Sequence, residues 1–180
     1  ATKVASGNWA VDPTPVVSNL SNPSGLTVGP DGALWWVHDF ATALMRLKAP
    51  WEANTPELII ADFGMLTSTN TWQDDDPYDL AFAPAGFGAN AGKLIVMDRG
   101  VDSNPMNALI IVDPSTTLTN QEAYANYLLA PDSSALGAQD LVGMTVVAPD
   151  KVATLNLDGQ VTLVDGMGIP MPFWPEFYLN

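Results

Sequence analysis

The chain repeats itself. Asn22-Pro-Ser-Gly-Leu-Thr-Val-Gly-Pro-Asp-Gly-Ala-Leu-Trp-Trp returns as Asp76-Pro-Tyr-Asp-Leu-Ala-Phe-Ala-Pro, followed after a loop by Lys93-Leu-Ile-Val-Met. It returns again as Asp140-Leu-Val-Gly-Met-Thr-Val-Val-Ala-Pro-Asp-Lys-Val-Ala-Thr. A unit that cannot bury its apolar face alone must stack on its neighbours, so a repeat of this kind dictates a stacked or circular architecture.

Superposing the three units predicts the same strand order in each. The first strands are expected at Gly25–Gly29, Asp79–Ala83 and Gly143–Ala148. Each is closed by a proline (Pro30, Pro84, Pro149) whose missing N–H ends pairing. Asp31-Gly32 signals a hairpin; the equivalent turns are an expanded Ala85–Gly92 loop and Asp150-Lys151. Second strands follow at Ala33–His38, Lys93–Asp98 and Val152–Asn156, and third strands at Ala43–Lys48, Ala108–Asp113 and Gln160–Asp165. Glu57–Phe63 reads as a fourth strand. In the second unit, Thr119-Asn-Gln-Glu122 fits a helix capping box, so Asn120–Leu129 reads as either a short helix or a strand. The outer strand of the third unit is expected from Pro172–Leu179 or from Lys3–Trp9. Thr67–Asp75, Gly100–Asn107 and Ala130–Gln139 are linkers by composition.

With 47% apolar and 14% charged residues, the 180-residue chain is globular, and its 15 Pro and 14 Gly favour short strands and turns over long helices. Twenty acids against six bases give a net charge of −14, which argues against nucleic acid and anionic membranes as partners. The chain has no cysteine, which excludes disulfides, thiolate metal sites and a thiol nucleophile. No uninterrupted apolar run reaches the roughly 18 residues of a membrane-spanning helix. The Ala-Thr-Lys start fits a processed end, and an extracellular or periplasmic location is expected.

Units of four short antiparallel strands at this spacing describe propeller blades. The run from Leu20 to Trp35, and Lys93-Leu-Ile-Val-Met-Asp-Arg-Gly, resemble the six-bladed β-propellers of the NHL-repeat and gluconolactonase-like superfamily. The resemblance spans about residues 16–165 and implies an all-β fold of three four-stranded antiparallel blades, at about 16–66, 67–130 and 131–180, within one domain. The alternative is a self-contained β-sandwich. Three blades leave a ring open, and exposed edges invite association. The expectation is therefore half of a six-bladed propeller, completed by a second copy, another chain or further sequence.

Asn22, Asp76 and Asp140 fall at equivalent positions before the first strands. Oxygen ligands converging there suit Ca²⁺, and gluconolactonase-like enzymes bind such a metal near the channel mouth. The competing reading is that Asn and Asp before strands make Asx-turns. His38, Asp98 and Asn156 form a second equivalent set. His38, the sole histidine, is either an ordinary hydrogen-bonded residue or a general base at a propeller mouth. Asp74-Asp75-Asp76 is an acid cluster without the spacing of an EF-hand loop. Trp35 and Trp36, adjacent on a strand, must face opposite ways, and the Phe173–Tyr178 aromatic segment needs a surface to cover it. Two functions stand: a secreted non-catalytic binding or assembly module, and a calcium-dependent lactonase-like hydrolase. The first is favoured, because these residues complete no catalytic constellation.

Overall fold

A computed structural model describes residues 2–3, 9–10, 15–39, 43–61, 63, 76–99, 107–115, 125–129, 136–137 and 140–173. A short pair, β1 (Thr2–Lys3) with β2 (Trp9–Ala10), stands at the N-terminal side. Three four-stranded antiparallel sheets follow. Blade 1 is β3 (Pro23–Val28), β4 (Leu34–His38), β5 (Ala43–Leu47) and β6 (Glu57–Ile60). Blade 2 is β7 (Pro77–Phe82), β8 (Leu94–Asp98), β9 (Ala108–Val112) and β10 (Ala125–Leu129). Blade 3 is β11 (Leu141–Ala148), β12 (Lys151–Asn156), β13 (Val161–Asp165) and β14 (Pro170–Phe173).

Each sheet runs in chain order, strand beside next strand, without the crossing connection of a Greek-key sandwich. The first three strands of each blade end within about two residues of the expected positions; the outer strands depart further, Glu57–Ile60 against Glu57–Phe63, Ala125–Leu129 against Asn120–Leu129 and Pro170–Phe173 against Pro172–Leu179. The inner strands of blades 1 and 2 start earlier because Pro23 and Pro77 occupy the first strand position, where a missing N–H is tolerated. Ala125–Leu129 is a strand; the rest of the capping-box segment lies outside the described residues. The outer strand of blade 3 comes from Pro170–Phe173 and not from Lys3–Trp9, whose two end residues pair with each other. Most of the three predicted linkers, and the segment after Phe173, also lie outside the described residues. The Asp31-Gly32 hairpin forms as expected: Gly32 adopts φ 78°, and the Ala33 N–H donates to Asp31 Oδ1 at 3.1 Å.

Strand alternation gives each blade a front face toward the preceding unit and a back face toward the following one. Blade 1 turns its back, Trp35, Val37, Leu44 and Ile60, to the front of blade 2, Leu80, Leu94, Val96 and Ile110. Trp35 meets Phe82 edge-on at 5.8 Å, and the Arg46 guanidinium lies over the Trp35 ring at 5.1 Å. Blade 2 in turn presents Ala81, Ile95, Met97 and Leu109 to Met144, Val152 and Val164 of blade 3. Trp36 lies on the opposite face of β4 from Trp35, as adjacency requires.

The inner strands β3, β7 and β11 lie side by side and line a common cavity of about 380 Å³. All three carry a register shift near their start, at Ser24/Leu26, Pro77/Asp79 and Leu141/Gly143. At Gly25 (φ 44°) the strands approach so closely that a Cβ would sit 2.7 Å from Asp79 Cα. The expanded loop after β7 reaches blade 3. Its Gly86 N–H donates to the Pro149 carbonyl (2.7 Å), Phe87 is buried against Gly166, and Asn90 Nδ2 donates to the Gly166 carbonyl (3.2 Å).

Candidate functional site

The two equivalent sets singled out by the repeat meet at one end of the blades. The backbone N–H that follows each second strand donates to the carbonyl of the residue just before the first strand. Asp39 donates to Asn22 (3.1 Å), Arg99 to Asp76 (3.2 Å) and Leu157 to Asp140 (3.0 Å). The same latch recurs once per blade.

Side chains of the second set reinforce it. Asp98 Oδ1 accepts from the Asp76 N–H at 2.8 Å. Asn156 Nδ2 donates to the Leu136 carbonyl (3.4 Å), and its Oδ1 accepts from the Gln160 N–H (2.9 Å). In blade 3 the inner strand is also held by Asn107, whose Oδ1 accepts from the Leu141 N–H at 3.2 Å. His38 is buried. Its Nδ1 faces the Ser21 carbonyl and therefore carries the proton, while Nε2 accepts from Trp36 Nε1 at 2.9 Å. One neutral tautomer satisfies both bonds, so neither ring nitrogen is spare in this arrangement.

Asn22 is exposed with φ 41°, and Asp140 is half-buried. Asp76 is engaged by the Arg99 Nε, and Arg99 also reaches Asp39 Oδ2 of blade 1 at 3.3 Å while stacking 4.1 Å over the Tyr78 ring. Burial, and then the neighbouring Asp39 carboxyl, push the Asp76 pKa up to about 6 against the opposing Arg99. No cluster of three His, Asp or Glu side chains among the described residues is disposed to hold a metal. Asp74 and Asp75 lie outside those residues.

Three residues that the sequence reading passed over do much of the positioning: Arg99, Asn107 and Asp79. Asp79 braces blade to blade, its Oδ2 accepting from the Met144 N–H at 2.8 Å. The available signals were a scarce arginine directly after a strand and an acid inside one. What the cluster does chemically is fasten each inner strand to the strand beside it and each blade to the next.

A second feature lies at the ends of the arc. The front of blade 1 carries the cross-strand row Leu26, Trp36, Met45 and Leu58. Over it, Pro15, Val16, Val17 and Leu20 wall a cleft of about 520 Å³. The back of blade 3 carries Leu155 and Val161 in one row and Ala153, Leu163 and Met171 in the next.

No protein-family model and no curated protein matches the chain. Solved structures do. Virginiamycin B lyase from Staphylococcus aureus matches at TM-score 0.55 and 16% identity, over 95% of this chain and 46% of its own. The structure of a nidogen/laminin complex matches at 0.55 and 11%, over 83% and 47%. Aldose sugar dehydrogenase from Streptomyces coelicolor, in its PQQ-bound form, matches at 0.58 and 13%, over 89% and 49%. The chain has a β-propeller fold. It spans less than half the length of these three structures, and at such identities the likeness establishes the fold alone, since propellers host both enzymes and binding modules. Among the described residues no helix is long and apolar enough to cross a membrane.

Proposed function

We propose that this chain is a non-catalytic binding or assembly module, secreted to the cell exterior or periplasm: half of a six-bladed propeller that closes with a partner chain. One observation carries the reading. Leu26 on the front of blade 1 is 67% exposed, whereas its equivalent on blade 2, Leu80, is 3% exposed. Leu155 on the back of blade 3 is 41% exposed, whereas its equivalent Met97 is fully buried. Leu26 and Leu155, at positions that the repeat builds as blade-to-blade contacts, thus stand open at the two ends, and exposed apolar side chains there mark interaction surfaces.

The rim supports a module over a calcium-dependent hydrolase. A metal at Asn22, Asp76 and Asp140 needs oxygens free to converge, while Arg99 holds Asp76 Oδ2 and leaves only the buried Oδ1 without a partner, and His38 spends both ring nitrogens on neighbours. Sedimentation velocity and calorimetric Ca²⁺ titration of the purified chain test both points. The expected result is an associating species with no calcium-linked heat. A folded monomer that binds no apolar dye overturns the assembly reading; tight calcium binding abolished by Asp140→Asn revives the hydrolase.

A further inference from the structure

We infer that Asn19 is an acceptor site for an N-linked glycan. This rests on the exported location proposed above and adds a covalent modification to it.

Two asparagines in the chain stand two residues before a serine or threonine, in Asn19-Leu20-Ser21 and Asn22-Pro23-Ser24. Asparagine, any residue except proline, then serine or threonine is the acceptor pattern for glycan transfer. Pro23 therefore disqualifies the second triplet, and it is committed as the first residue of β3, opposite His38. Asn19-Leu20-Ser21 is the one that qualifies.

So short a pattern recurs by chance, and its place in the fold decides whether it counts. Asn19 is exposed and adopts φ 60°, a left-handed turn conformation that asparagine tolerates. Its Nδ2 stands 3.5 Å from the neighbouring Ser18 Oγ, at the outer limit of a hydrogen bond and on the surface. The turn is anchored on both sides. Val17 and Leu20 line the cleft over the front of blade 1, and the Ser21 carbonyl accepts from His38 Nδ1. Ser18 and Asn19, between those anchors, are exposed and form no part of the cleft wall. Ser21 is exposed as well, and His38 engages its carbonyl, not its hydroxyl. The second triplet differs here too: Ser24 is half-buried and its Oγ donates to the Pro77 carbonyl at 3.2 Å.

The co-reactant is a glycan carried on a polyprenyl diphosphate. Asn19 Nδ2 attacks C1 of the first sugar, the new C1–N bond forms as the C1–O bond to the diphosphate breaks, and the amide nitrogen gives up one proton. The lipid diphosphate leaves, and nothing is oxidised or reduced. A bulky polar glycan keeps the turn that carries it in water. A partner seated on Leu26 and the cleft beside it therefore leaves Ser18 and Asn19 outside the contact.

The test directs the 180-residue chain into microsomes holding an oligosaccharyltransferase, behind a cleavable signal sequence, and reads the intact mass. The expected product carries one glycan, which peptide-N-glycosidase removes while converting the acceptor amide to an acid. Asn19→Gln and Ser21→Ala should each lose the glycan, and Ser21→Thr, which keeps the hydroxyl, should retain it. All three lie at exposed positions and should keep the parent's far-UV circular-dichroism spectrum. The added signal imposes export, so a chain inside the microsomes without a glycan overturns the acceptor site and leaves the exported reading standing. A glycan that survives Asn19→Gln overturns it as well. Sedimentation velocity before and after enzymatic removal separates this site from the assembly reading. Equal association in both forms supports a turn outside the contact, and association only after removal overturns that placement. Monomers in both forms overturn assembly while the acceptor site stands.

Discussion

Blades 2 and 3 are built from the same pattern and sit in different surroundings. In blade 2 the front row Leu80, Val96 and Ile110 and the back row Met97 and Leu109 are all buried, because a blade stands on each side. In blade 3 the front is covered and the back row, Leu155 and Val161, is open or half-open. The residue types barely differ; the neighbours do. A sheet with one covered face ordinarily makes its other face polar. The back of blade 3 stays apolar at Ala153, Leu155, Val161, Leu163 and Met171, which is the composition of a face meant for burial.

Substitutions at equivalent positions sharpen or break this contrast. The largest effect is expected from Ile95→Asp in the middle blade: a buried charge with no partner costs more than about 4 kcal/mol and unfolds the chain. Ala153→Asp, its equivalent in blade 3, should leave the folded circular-dichroism spectrum intact. Equal damage from both would mean that the back of blade 3 is already covered within one chain.

Next comes Leu80→Ala, expected to lower unfolding free energy by about 2–5 kcal/mol in urea titrations, against under about 1 kcal/mol for Leu26→Ala when measured below the concentration of self-association. Gly25→Ala is smaller again. A Cβ there meets the backbone of blade 2 in a left-handed conformation and should cost more than about 1 kcal/mol, whereas Gly143→Ala, with open space around it, should fall within about 0.5 kcal/mol.

The smallest effect is pH dependence at the joint of blades 1 and 2. The folded-state pKa of Asp76, about 6, lies above the ordinary 3.8, so the folded chain holds this proton more tightly than the unfolded one. Its contribution to stability is full below about pH 4 and is lost as the pH rises through about 6. The difference in urea midpoint between the parent and Asp76→Asn should therefore drift across that window, in the direction of relatively greater stability for the variant at higher pH. A flat difference would mean that Asp76 stays ionised beside Arg99.

Much of this fold was legible from spacing. Proline after each first strand, alternation within the strands and the Asp31-Gly32 turn located the first three strands of every blade to within about two residues. Ala125–Leu129 was ambiguous because a local capping signal competes with strand pairing to β9, and pairing is a long-range term that a window of ten residues does not contain. The candidate site was half-legible. The repeat placed Asn22, Asp76 and Asp140 in one set and His38, Asp98 and Asn156 in another, but not that the two sets close on each other through backbone carbonyls. Arg99 and Asp79 were missed for a related reason: both act across a joint, on blades more than forty residues away in sequence from one or other partner.

The loop that carries Gly86, Phe87 and Asn90 into blade 3 bears on the order in which the chain assembles. Within each blade the strands are sequence neighbours, so pairing them closes only short loops and proceeds quickly. Joining blades is the slower step. Blades 2 and 3 hold each other through a packed interface and through this clamp, whereas blade 1 meets blade 2 without any comparable loop among the described residues. Blades 2 and 3 should thus mature as one cooperative block, with blade 1 docking onto a finished surface and exchanging its amide hydrogens earlier on the way out.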